Sequence, residues 1–169
     1  VSRRIRIPAK DSKRWFGKPL SIQKLNAALQ LLHSRLLPLS TYEFDKGNGF
    51  TRYEELLHEL GHHVTLSPHT WPTPRDQNVG TVLEEMSPST REGNECDALA
   101  FTILVSEMIG RPISIGYVDM AVRQNNLKFM TIRQARRMVM SSLTAPNFWD
   151  LGYNFATELY SVLHAQGEV

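Results

Sequence analysis

His58-Glu59-Leu60-Gly61-His62 constrains this 169-residue chain more than any other stretch. The pattern H-E-x-x-H ties one local structure to one kind of chemistry. On a helix, His58 and His62 lie one turn apart on the same face, so both imidazoles reach a single metal ion. Glu59 sits beside the first of them, placed to take a proton from an attacking water without ligating the metal itself.

The helix itself is well specified. Thr51 and Glu54 form a T-x-x-E capping box, and Asn48-Gly49 just before it reads as a turn. Leu56, Leu57, Leu60 and Val64 supply an apolar face to anchor the helix in a core. The bland alternative, two surface histidines on an amphipathic helix, does not need this capped setting.

A chain of 169 residues with 41% hydrophobic and 21% charged residues reads as one soluble globular domain over 1–169. No apolar run approaches the roughly 20 residues of a membrane span, and no signal-peptide pattern opens the chain. It starts at Val1 rather than methionine, as a processed chain or a fragment would. The single cysteine, Cys96, rules out an intrachain disulfide and fits a reducing, cytoplasmic setting. The net charge of +2 is unevenly spread. Arg3, Arg4, Arg6, Lys10, Lys13, Arg14 and Lys18 face only Asp11 in a basic arm over residues 1–20. A solvated terminus is the expected reading of that arm, with contact to nucleic acid or an acidic partner as the other.

Along the chain the pattern is mostly helical, so the fold class expected is mainly α, with at most a small sheet. Ser21 caps a helix to about Leu37, with Ile22, Leu25, Leu29, Leu32 and Leu36 in one stripe and Pro38 as its stop. His33 on that helix reads as a core-edge or surface residue. Tyr42–Phe44 is a candidate short strand. Residues 66–89, broken by Pro68, Pro72, Pro74 and Pro88, read as a long mobile loop overhanging the cleft, with one helical turn near Val82–Glu85. Ser89 or Thr90 starts a second long helix that Gly110 and Pro112 end. Helices over about 115–124, 131–143 and 146–164 follow in the C-terminal region 112–169. Met138, Leu143, Phe148, Trp149, Leu151, Phe155, Leu159 and Leu163 are their candidate core.

A catalytic zinc takes three protein ligands and keeps a fourth position open. An H-E-x-x-H-x-x-G-x-x-H arrangement would need glycine and histidine where this chain has Thr65 and Pro68, and His69 misses by one residue. The favoured third ligand is Glu95 on the second long helix. Glu95, Ala98, Phe101 and Thr102 share a face, and the small Ala98 would let this helix approach the metal helix closely. Glu92, a turn earlier, is the fallback. Both carboxylates could instead be exposed charges near a helix N-terminus.

His58–His62 followed by Glu95, Ala98, Phe101, Thr102 and Leu104 resembles the ImmA/IrrE-type metallopeptidases, which are helical, gluzincin-like bacterial proteins that act on repressors. The resemblance covers roughly residues 50–105. It implies a zincin-like domain, zinc on His58, His62 and Glu95, and Glu59 as general base. The chain departs from that family's Leu-Met-Pro-like segment, with Val105 to Pro112 in its place. Thermolysin-like enzymes fit less well, because Leu99 stands where they carry an aspartate.

The implied chemistry is zinc-assisted hydrolysis of a peptide bond in a protein or peptide substrate. A donor to the developing oxyanion is also expected, with His63, His69, Tyr117, Tyr153, Arg111 and His164 as candidates. His63 points about 100° round the helix from His62, so it is expected beside the metal ligands or at the surface. A reading from another class makes the chain a non-catalytic binding protein. Its basic arm with Lys128, Arg133, Arg136 and Arg137 would then hold nucleic acid or an acidic partner.

Overall fold

A computed structural model describes residues 21–40, 47, 49–68, 72–113, 116–124, 128 and 130–167. Among these the chain is mainly α-helical and contains no strand. The helices are α1 (Ile22–Leu36), α2 (Arg52–Leu66), α3 (Val79–Glu84), α4 (Pro88–Met108), α5 (Gly116–Gln124), α6 (Ile132–Thr144) and α7 (Pro146–Ala165). The basic arm, Tyr42–Phe44, His69 and Ile115 lie outside the described residues. None of the described helices is long and apolar enough to cross a membrane.

Local chemistry sets the boundaries. The Ser21 hydroxyl accepts the Lys24 N–H at 3.3 Å and opens α1. At α2 the Glu54 carboxylate takes the Thr51 N–H at 2.8 Å and the Thr51 hydroxyl at 2.6 Å. Helix α4 begins at Pro88 instead of Ser89 or Thr90, with Ser87 in the N-cap position and proline suited to the first helical one. It ends before Gly110, whose φ of 78° is a conformation few other residues adopt.

Helix α4 is the axis of the fold. It packs against α2, α6 and α7, and α1 closes on both α2 and α7. Enclosed in this way, it buries residues all round its circumference, from Cys96 and Ala98 to Leu104 and Met108. The stripe residues Leu25, Leu29, Leu32 and Leu36 of α1 are buried, as are Leu143, Phe148, Phe155, Leu159 and Leu163. Met138 is not: α6 turns Ala135, Val139 and Leu143 inward, and Met138, about 100° away, is 39% exposed.

The described part of 66–89, residues 66–68 and 72–89, is not one long irregular loop. It carries α3, capped by Asn78, whose side chain accepts the Thr81 N–H at 3.2 Å. The Arg75 N–H donates to the Leu36 carbonyl at 2.9 Å, and Asn78 Nδ2 donates to the Leu39 carbonyl at 2.6 Å. Polar bonds to the end of α1 hold this segment, which is why no hydrophobic period announces its path.

Helices α2 and α4 approach closely at Gly61. A Cβ placed there would lie 3.0 Å from Phe101 Cδ1 and 3.2 Å from the Ala98 carbonyl oxygen. Ala98 was expected to permit the approach, and Gly61 supplies its other half. Phe101 is locked edge-on against Phe155 at 5.0 Å, so neither neighbour yields easily. Gly61→Ala should therefore lose stability in denaturant unfolding. Overpacking costs about 1–3 kcal/mol, which outweighs the ~1 kcal/mol that alanine gains over glycine in a helix. A stabilised variant would show that the helices part freely.

Candidate metal centre

The helix approach brings three predicted residues to one point. His58 Nε2 lies 2.8 Å from Glu95 Oε2, His62 Nε2 lies 3.1 Å from Glu95 Oε1, and the two Nε2 atoms are 3.1 Å apart. Among the described residues, His58, His62 and Glu95 are the group of three able to hold a metal ion. Two imidazoles and one carboxylate are a donor set that suits zinc. Donors about 2.0–2.1 Å from one tetrahedral ion lie roughly 3.3 Å apart, and the three side chains can each offer one atom within 4.8 Å of the others.

The electrostatics ask for positive charge. Burial would raise the Glu95 carboxyl, but His58 and His62 beside it hold it well below the usual carboxylate range. Burial would likewise lower His62, yet hydrogen bonding and charge from Glu95, with Asn94, shift it upward. A proton or a metal ion satisfies that demand, and the two compete for the same nitrogen.

Asn94 and Thr65 were not anticipated. His62 Nδ1–H donates to Asn94 Oδ1 at 2.5 Å, Asn94 Nδ2–H donates to Thr65 Oγ1 at 3.1 Å, and the Thr65 hydroxyl donates to the Gly61 carbonyl at 2.7 Å. Helical arithmetic contains the missed signal: Asn94 and Glu95 straddle Ala98, about 40° and about 60° to its two sides. If Ala98 is the contact point, both flanking side chains face α2.

The other candidates are placed elsewhere. Glu92 is buried, and its Oε2 accepts the Lys128 backbone N–H at 2.9 Å. It lies about 120° round from Ala98, which turns it from α2, so the fallback ligand is corrected. Tyr117 is buried, edge-on to Phe50 at 5.5 Å, with its hydroxyl engaged by Thr102. Tyr153 leans on Trp149 at 6.0 Å, and the exposed His164 stacks on Tyr160 at 6.2 Å. Arg111 lies near Tyr53, and His69 is outside the described residues. His33 is buried rather than at the surface, and it lies within electrostatic reach of Glu59. In the proposed basic patch, Arg136 is spent on Asp119, with its Nε donating at 2.7 Å. Lys128, Arg133 and Arg137 stay exposed.

His63 is not at the surface. It is buried, and its Nε2–H donates to the Thr73 carbonyl at 3.1 Å, tying the segment after α2 to the metal helix. Compared with known proteins, the chain matches no family model, no curated protein and no solved structure.

Burial, with Arg75 nearby, lowers the His63 pKa from 6.5 to about 4. Between those values the unfolded chain binds a proton that the folded chain refuses. His63 therefore destabilises the fold as pH falls from 6.5 toward 4, and has no such effect above 6.5. His63→Gln keeps a donor for Thr73 but cannot titrate. The gap in melting temperature between wild type and this variant should thus shift toward the variant below pH 6.5, and a gap constant with pH would refute the assignment.

Proposed function

We propose that this chain is a zinc-dependent metallopeptidase that hydrolyses peptide bonds of a protein substrate. The observation that carries the reading is the meeting of His58, His62 and Glu95 within 3.1 Å, next to a glutamate in the H-E-x-x-H position. The resemblance of residues 50–105 to the ImmA/IrrE-type peptidases points the same way.

His58, His62 and Glu95 would hold the ion. Bound zinc would supply Lewis acidity, polarising the scissile carbonyl and acidifying the attacking water. Glu59 is only half-buried and is not part of the ligand triangle, so its carboxylate is available to the reactants. It accepts the proton of the attacking water and returns it to the leaving amine. The packing of α2 on α4 fixes Glu59 relative to the ligands, because His58 and Glu59 adjoin on one rigid turn. Tyr117 is buried within electrostatic reach of Glu95, and the oxyanion donor is not assigned to any one of the candidates.

Two variants test the reading. Glu59→Gln keeps the shape but cannot take the proton, so it should retain about one zinc per chain while turnover falls by at least about 100-fold. Glu95→Ala should lose most of the zinc by elemental analysis, and Glu92→Ala should keep it. Metal-free, well-folded wild type would sink the proposal. A salt-sensitive shift of DNA that survives a chelator would favour the binding-protein alternative.

A further inference from the structure

We propose that Asn94 is the positioning residue of the metal centre, fixing the tautomer and ring plane of His62 through the relay to Thr65 and the Gly61 carbonyl. The inference rests on the metal reading above. It adds a residue that neither the motif nor the ligand set contains.

A neutral imidazole carries one N–H, and only its other nitrogen has a lone pair for a metal. Which nitrogen is which depends on the partner of the first. The Thr65 hydroxyl donates to the Gly61 carbonyl at 2.7 Å, so the Thr65 oxygen faces Asn94 as an acceptor. It therefore takes the Asn94 amide N–H at 3.1 Å. That leaves Oδ1 of Asn94 toward His62, and an oxygen there can only accept. Nδ1 of His62 must then hold the hydrogen, at a separation of 2.5 Å. The lone pair is driven to Nε2, the atom that faces Glu95 and His58.

The relay is built into the helix interface. Asn94 is 7% exposed and His62 is 2% exposed, so water does not compete for these bonds. Gly61, which closes the relay with its carbonyl, is also where α2 lies close against Ala98 of α4. His58 differs: its Nδ1 is buried without a hydrogen-bond partner among the described residues. The two histidines are thus unequal: His62 is held at both ring nitrogens, whereas His58 meets Glu95 through Nε2 and has no hydrogen bond at Nδ1.

Zinc affinity, measured by competition with a chromophoric chelator, tests the assignment without any substrate. Partners that orient a metal-bound histidine are worth about 10- to 100-fold in affinity. Asn94→Leu should therefore bind zinc about 10- to 100-fold more weakly than wild type. Asn94→Asp keeps the acceptor and should bind at or above the wild-type level. Wild-type affinity in Asn94→Leu would overturn the proposal, as would an equal loss in both variants, which would mean that the residue only supports the fold. If Asn94→Leu does not fold, Thr65→Val removes the outer link alone. A loss of a few-fold is then expected, and unchanged affinity overturns the relay. Failure of wild type itself to bind zinc would overturn the metal reading and this inference with it, whereas a normal wild type with an impaired Glu95→Ala and an unimpaired Asn94→Leu would overturn this inference only.

Discussion

The closeness of α2 to α4 is the constraint on which everything else depends. A glutamate side chain is short, and Glu95 reaches His58 and His62 only because the two backbones nearly touch at Gly61 and Ala98. Packed interiors cannot give way smoothly, so the distance is set by two small residues and held by Phe101 and Phe155 behind them. The same contact aims Asn94 and Glu95 at opposite sides of one line. One glycine-to-alanine step in either direction would move the carboxylate relative to both rings.

The polar groups at this interface occupy ground that would otherwise be apolar. They are tolerated because nearly every one is engaged: His62 through Asn94, Asn94 through Thr65, Thr65 through a backbone carbonyl, and Glu95 through both rings. A second set is satisfied independently a turn further along α4, where Thr102 donates to the Ala98 carbonyl at 2.9 Å. The core around these groups is continuous from α1 to α7. Low dielectric strengthens each of these bonds and would make any broken one expensive.

What was legible in the sequence was what depends on near neighbours. Thr51 with Glu54, Ser21, and the leucine stripe of α1 state their roles within a few residues, so the helices they open were readable. The convergence of His58, His62 and Glu95 was also readable, because spacing and a small residue at Ala98 suffice to suggest it. Asn94 was within reach of the same arithmetic, about 40° from Ala98, but an amide carries no metal-ligand signature to single it out. The burial of His63 was not legible for a different reason: the segment against it is tied to the end of α1 by the Arg75 N–H and the Asn78 side chain, and such bonds leave no hydrophobic period. Met138 shows the limit of hydrophobicity itself, since a helix with one buried stripe has room for apolar residues outside it.

An imidazole–carboxylate cluster can also be a plain buried ion pair, and that alternative has physical consequences of its own. A proton shared between His62 and Glu95 would answer the charge demand of those two groups, but buried pairs add little stability over well-packed apolar side chains. His58 also pairs with Glu95 through Nε2, but an ion pair does not account for its Nδ1, which is buried without a partner among the described residues. An unmade buried hydrogen bond costs about 1–3 kcal/mol, so a site shaped only for stability would carry an apolar residue at position 58. Two rings and a carboxylate that turn their acceptor atoms inward make sense around one cation with several bonds to give. A proton makes one strong bond, or two at most. Sequence and packing agree with each other almost everywhere else in this fold, and places where local rules are broken at a stability cost are where function is to be sought.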